Sequence, residues 1–241
     1  MDLLTHFDSS RREFLRAGGL IAAATFTLRP ATLLAQAIDP KPAKKKEEKL
    51  PPTEDLMREH GLLSRVLLIY DEAENRLTAG KAFPMDALAA AAGIVRRFVE
   101  DYHERNEEAY VFPRLNKPGG LPDLVRVLLD QHNAGRQLTG DITRLALAGT
   151  PKTDTDRAQI AYRLKAFNRM YRPHKAREDT VLFPALRDAM SEHELHQLGD
   201  TFEKQETQLF GEDGFEKVLD EVDALEKRLG LNDLAQYTPK G

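Results

Sequence analysis

The chain of 241 residues contains no cysteine and no tryptophan. The absence of cysteine excludes disulfide bonds, thiolate metal sites, iron–sulfur clusters and cysteine nucleophiles. Its charges nearly cancel, with 35 Lys and Arg against 39 Asp and Glu, so no strong basic field indicates a nucleic-acid partner. Abundant Ala, Leu, Arg and Glu, with few β-branched residues, favour helix over sheet. Seven histidines and many carboxylates remain to provide chemistry.

The N-terminal residues 1–37 have the three parts of an export signal in the expected order. Residues 10–16 match the twin-arginine pattern S/T-R-R-x-F-L-K at nearly every position. The apolar stretch 17–28 is shorter than the roughly 20 residues that cross a bilayer, and the small-x-small triplet at 35–37 suits a cleavage site. We therefore expect recognition by the twin-arginine export machinery, a periplasmic mature protein, and no stable membrane span after cleavage.

Residues 38–52 contain four Pro and five Lys, which predicts an extended linker. From residue 53 onward apolar residues recur with the helical period of 3.6. The pattern predicts helices over 53–78, 85–112, 121–148, 154–187, 191–210 and 213–229. Short connections between the first four predict an all-α fold, with an up-down-up-down four-helix bundle over 53–189. The last two helices form a C-terminal helical extension over 190–241.

The bundle sequence contains an internal repeat. Residues 103–115 align without a gap with residues 174–186, and both segments read His-x-x-x-Glu followed by Phe-Pro-x-Leu. A further histidine precedes each segment, His60 by 43 residues and His132 by 42. We interpret the bundle as two helical hairpins, each with one histidine on its first helix and His-x-x-x-Glu on its second.

Helix geometry turns this repeat into a candidate metal site. Residues four apart share a helix face, and each histidine lies in line with apolar residues that should face the core. One such histidine alone is more often a hydrogen-bonded core residue, but four in register with two matched glutamates favour a metal. Bound cations also offset the cost of burying carboxylates. The candidate ligands are His60, His103, Glu107, His132, His174 and Glu178.

Three more carboxylates lie beside these motifs. Glu104 sits about 100° around the helix from His103 and could reach a metal from the side. Its repeat counterpart is Lys175, so this further candidate ligand exists in one half alone. Glu108 and Asp179 follow the two motif glutamates and are expected outside the ligand set.

The pattern H…HxxxE…H…HxxxE, with Phe-Pro after each glutamate, resembles the hemerythrin-like family with the HHE cation-binding domain. The resemblance implies a non-haem di-iron centre, with Glu107 and Glu178 as bridges and the four histidines as terminal ligands. Similarity to sensor-like members adds Glu104 as a further ligand. Members that carry oxygen have His-x-x-x-His on the third helix, whereas Arg136 stands four residues after His132. Mn or Zn could replace the two iron ions in a His and carboxylate site.

Three functions remain open at this point. The first is an exported di-iron protein that binds O₂ or a related small diatomic or peroxide ligand, for sensing, storage or scavenging. The second is a redox enzyme that consumes peroxide or nitric oxide, and the third is non-catalytic iron binding. A ferritin-like carboxylate bundle is a competing fold, but it needs Glu-x-x-His on two helices. Glu100 fits that spacing before His103, whereas Tyr171 takes the position before His174.

Pro173 stands directly before His174, where the repeat has Tyr102. A proline inside a helix removes one hydrogen bond and clashes with the carbonyl four residues earlier. Two outcomes are open. Either Pro173 is a tolerated irregularity, or a bend or widened turn near 169–173 re-aims His174 while helix 2 stays straighter at 98–102.

Overall fold

The computed structural model describes residues 50–239, and every regular element in that range is a helix. This confirms the predicted all-α fold. The long helices are α1 (Pro52–Thr78), α2 (85–115), α3 (Pro122–Leu147), α4 (154–189), α5 (Glu192–Phe210) and α6 (Gly214–Leu229), and a 3₁₀ turn (Leu234–Tyr237) follows them. None of the helices in these residues combines the length and apolar character that a membrane crossing requires. The predicted signal peptide and most of the predicted linker lie outside the described residues.

The first four helices form the up-down-up-down bundle. Their connections, residues 79–84, 116–121 and 148–153, are short and make consecutive helices antiparallel. α1 packs against α2 and α4, and α3 packs against the same two helices, so the ring of four is closed. Thr153 begins α4 with a side-chain cap on the backbone N–H of Asp156, as Ser and Thr commonly do at helix starts.

α2 and α4 each contain a π-helical turn at the same position of the repeat. The backbone N–H of Phe112 donates to the carbonyl of Glu107, five residues earlier, and the N–H of Phe183 donates likewise to Glu178. A proline follows each phenylalanine, and the wide turn lets a new α-helical segment start where a missing N–H costs little. The Phe-Pro motifs therefore mark wide turns. α2 has a second π segment, Val95–His103.

The hypothesis that Pro173 creates a widened turn is wrong. Asp154–Arg177 is α-helical through Pro173, whereas residues 98–102, expected to be the more regular, lie in a π-helical segment. Pro173 is exposed, and the wide turn of α4 comes later, beside the proline of its Phe-Pro motif. His174 therefore lies in an α-helix that has no widened turn at Pro173.

Two apolar clusters fill the bundle, and a polar layer separates them. On α1 the change from one cluster to the other lies between Leu56 and Leu62, and on α4 between Tyr171 and Leu182. His60 lies in this gap on α1, and His174 and Glu178 lie in this gap on α4. Apolar packing on both sides thus fixes the height of each polar side chain along its helix.

The two C-terminal helices pack onto this bundle. α6 buries Phe215 and Val222 against α1. Next to this contact, Arg65 of α1 pairs with Asp223 and Glu226 of α6. α5 adds apolar residues to the other cluster. The extension therefore shares both apolar clusters of the bundle.

Gly135 marks a close approach of α3 to α4. A Cβ atom on this buried glycine would lie 2.0 Å from the Tyr171 hydroxyl oxygen. We expect Gly135→Ala to displace the tyrosine and lower the free energy of unfolding by about 1–3 kcal/mol, the usual range for overpacking. Urea unfolding followed by circular dichroism measures this change.

The matched control is Gly140→Ala on the same helix. Gly140 is exposed, and the nearest atom to its added Cβ would be Arg96 Nη2 at 3.9 Å. This substitution should raise the free energy of unfolding by about 0.5–1 kcal/mol, because alanine restricts the unfolded chain more than glycine does. Similar effects of the two substitutions would contradict the close approach.

Candidate metal centre

Four histidines, one from each bundle helix, meet in the polar layer. His60 and His103 come from α1 and α2, and their ring centroids lie 4.7 Å apart. His132 and His174 come from α3 and α4, with centroids 5.0 Å apart. At most 4% of the surface of any of them is exposed. The structure therefore brings together the four histidines that the repeat singled out, as one pair from each hairpin.

The Nε2 atoms of these histidines point toward one another and toward the motif glutamates. His60 Nε2 and His103 Nε2 lie 3.1 Å apart. Two nitrogens bound to one ion at about 2.1 Å are themselves separated by roughly 3.0–3.4 Å. The first pair therefore already has the spacing of two ligands on one cation.

Glu107 and Glu178 lie between the two histidine pairs, and both are fully buried. Glu107 Oε1 is 3.6 Å from His103 Nε2, and its Oε2 is 3.4 Å from His132 Nε2. Glu178 Oε2 is 3.3 Å from His60 Nε2 and 3.2 Å from His174 Nε2. Each carboxylate thus contacts one histidine of each pair, which is the geometry of a bridge.

The donor set fits cations. All four carboxylate oxygens of Glu107 and Glu178, and the Nε2 of His132, are buried without a hydrogen-bond partner among the described residues. Such atoms are costly to bury unless something pairs with them. Two groups of three have ligand atoms within 4.8 Å of one another, and these groups are His60 with His103 and Glu107, and His132 with His174 and Glu178.

The protonation equilibria of three of the six candidate ligands, His103, His132 and Glu107, agree with this fit. Burial, and then the charge of His60, lower the pKa of His103 well below its ordinary value, and burial lowers the pKa of His132 to about 4. Both imidazoles are neutral at pH 7 and keep a lone pair for a metal. Burial, and then the charge of Glu178, raise the pKa of Glu107 well above its ordinary value. A cation between the carboxylates removes that repulsion.

The Nδ1 atoms of the first-helix histidines contact carboxylates from the opposite hairpin. His60 Nδ1 lies 2.7 Å from Asp179 Oδ1, and His132 Nδ1 lies 3.1 Å from Glu108 Oε1. Both carboxylates are partly buried. The residues that follow the motif glutamates therefore hold the histidine rings in place, a role that metal-site histidines generally require.

The second-helix histidines contact residues that sequence reasoning missed. His103 Nδ1 is 2.5 Å from Glu59 Oε2, and His174 Nδ1 is 2.8 Å from Gln131 Oε1. Glu59 and Gln131 occupy the same repeat position, directly before the first-helix histidine. The sequence held a signal for these contacts in that shared position, since both residue types can accept a hydrogen bond from an imidazole N–H.

Glu104 lies on the other side of His132 from the two bridging carboxylates. Its Oε1 accepts a hydrogen bond from the Tyr171 hydroxyl at 2.7 Å, and its Oε2 is 2.8 Å from Arg136 Nη2 but 4.0 Å from His132 Nδ1. Glu104, Glu108 and His132 form a third group with metal-like spacing. Arg136 also pairs with Glu108 at 2.6 Å, so a guanidinium already supplies the positive charge in this group.

We expect Glu107→Gln to stabilise the protein after chelator treatment at pH 7. The folded-state pKa of Glu107 lies above its ordinary value of 4.5, so folding at pH 7 must bury a charge or take up a proton. Glutamine removes that penalty and keeps the shape of the side chain. Thermal unfolding should show a higher Tm than the chelator-treated parent, with a difference that shrinks as the pH falls toward 4.5.

The control is Glu212→Gln, an exposed glutamate beyond α5, which should leave the Tm within the small range typical of surface changes. A Tm loss in metal-free Glu107→Gln would show that the carboxylate stabilises the fold on its own, without a cation.

Comparisons with known proteins agree with this geometry. Residues 52–186 match the family described as the hemerythrin HHE cation binding domain. The chain is 49% identical over 195 residues to the uncharacterized protein Mb2018 of Mycobacterium bovis and to the uncharacterized protein Rv1995 of Mycobacterium tuberculosis, with 80% of this chain and 76% of each relative aligned. No solved structure matches the chain. The family match covers more than half of the sequence, and the chain therefore belongs to the hemerythrin HHE cation-binding domain family.

Proposed function

We propose that the chain is an exported non-haem di-iron protein that binds O₂ or a related small diatomic or peroxide ligand, for sensing, storage or scavenging. The observation that carries this proposal is the buried layer itself, where histidine Nε2 atoms surround carboxylate oxygens that have no hydrogen-bond partner. When bound, an iron pair would supply electrons to a small oxidising ligand and take them back.

The residues of the layer would form two sets of ligands, one for each ion. His60 and His103 would hold one ion, His132 and His174 the other, and the carboxylates between the pairs would bridge both. Imidazole and carboxylate ligands without thiolate suit iron, while Mn and Zn are the alternatives. With two histidines and the shared carboxylates as its protein ligands, an ion in each half would keep room for a small ligand.

The alternative is a redox enzyme that consumes peroxide or nitric oxide at the same centre. Arg136 favours chemistry other than reversible oxygen carriage, because it stands where oxygen-carrying members of the family have a second third-helix histidine. Its guanidinium pairs instead with Glu104 and Glu108. Spectra of the reduced protein before and after exposure to air test ligand binding, and turnover with peroxide tests the enzyme. A protein that does neither would have a purely iron-binding role.

We expect two metal ions per chain in protein purified from its native compartment. His132→Ala and Glu178→Ala should each reduce the metal content and lower the Tm of the loaded protein, because the energy of metal binding adds to the energy of folding. Elemental analysis and thermal unfolding measure both effects. His196→Ala is the matched control, since this α5 histidine is exposed and should change neither quantity.

One metal ion per chain, unaffected by Glu178→Ala, would contradict the two-metal centre. A variant that has less helix than the parent protein, when both are compared after chelator treatment, would point instead to a packing role. Circular dichroism of the chelator-treated proteins makes this comparison.

We also expect export in the folded state through the twin-arginine route. Replacing Arg11 and Arg12 together by Lys should retain metal-loaded precursor in the cytoplasm, because that pathway recognises the arginine pair and carries folded cargo. Cell fractionation with metal analysis of the retained protein measures this outcome. Continued export of the double variant would contradict the twin-arginine signal.

A further inference from the structure

The outer nitrogens of the four histidines reveal a difference between the two halves of the centre. The first-helix histidines are matched, since His60 and His132 each contact a carboxylate through Nδ1, from Asp179 and Glu108 respectively. The repeat therefore keeps an acidic residue at this position, aspartate in one half and glutamate in the other. The clearer inequality between the halves lies at the second-helix histidines.

The second-helix histidines are not matched. His103 Nδ1 contacts the carboxylate of Glu59, which is almost fully buried, whereas His174 Nδ1 contacts the neutral amide oxygen of Gln131. An imidazole that binds a metal through Nε2 carries its hydrogen on Nδ1 and donates it to such an acceptor. A carboxylate draws that hydrogen more strongly than an amide and makes the imidazole the better metal ligand.

The charges around the carboxylates increase this difference. The first pair of histidines is served by the carboxyl groups of Glu59 and Asp179. Beside the second pair, Arg136 pairs with Glu108 at 2.6 Å and with Glu104 at 2.8 Å. The guanidinium therefore places a positive charge next to the Glu108 carboxylate that contacts His132, which makes that carboxylate the weaker hydrogen-bond acceptor.

We propose that the two halves bind their cations unequally, with Glu59 as the positioning residue that makes the His60 and His103 half the tighter one. The His132 and His174 half, supported by Gln131, releases its metal first. This inference rests on the two-metal function proposed above.

The test is the rate of iron release from mature protein loaded anaerobically with Fe²⁺ and challenged with an excess of a chromogenic Fe²⁺ chelator. We expect two phases of equal amplitude, one iron each. Glu59→Gln should accelerate the slow phase by about tenfold, the lower end of the effect of outer partners on metal affinity. Gln131→Glu should slow the fast phase by a similar factor, and structural damage does not produce slower release.

Glu100→Gln is the matched control. Glu100 is a fully buried carboxylate of α2 that pairs with Arg96 rather than with a candidate ligand histidine, so both release rates should stay unchanged. Two irons leaving in a single phase, or faster release from Gln131→Glu, would overturn the inference alone. Saturation at one iron per chain would overturn the two-metal function together with it.

Discussion

Six polar side chains share one layer between the two apolar clusters of the bundle, and their burial is the constraint on which the rest of the structure depends. Four carboxylate oxygens of Glu107 and Glu178 have no hydrogen-bond partner there. Each unsatisfied buried group costs about 1–3 kcal/mol, and a whole domain is typically stable by only 5–15 kcal/mol. A layer of this kind is consistent with a stable fold when cations neutralise it, and metal binding and folding are therefore coupled.

The fold fixes the layer from both ends. Apolar clusters above and below hold each histidine at one height, and the Phe-Pro motifs set wide turns directly after the motif glutamates. Because both turns occur at the same repeat position, Glu107 and Glu178 adopt equivalent places in the two hairpins. The C-terminal helix α6 then buries Phe215 and Val222 against α1, the helix that carries His60.

The helices and the layer of histidines and glutamates could be predicted from the sequence, because both follow from the period of a helix. The contacts between helices could not be predicted in this way. Glu59 precedes His60 along the chain yet lies about 100° away around α1, so it reaches a histidine of α2, and no periodicity within one helix predicts that contact. The expectation of a widened turn at Pro173 was wrong for a related reason. A proline shows where an N–H is missing, but Pro113 and Pro184 follow wide turns whereas Pro173 lies in α-helix, so a proline alone does not place a wide turn.

The repeat gives the polar layer two similar halves. Six of the candidate ligands are matched between these halves, histidine for histidine and glutamate for glutamate, whereas the further candidate Glu104 has Lys175 as its counterpart. The differences lie one contact further out, where Gln131 stands in place of Glu59 and Arg136 pairs with two carboxylates of α2. Substitutions at such positions change the hydrogen bond that a histidine donates without removing the histidine, so the two halves of the layer can differ while their histidines and motif glutamates stay the same.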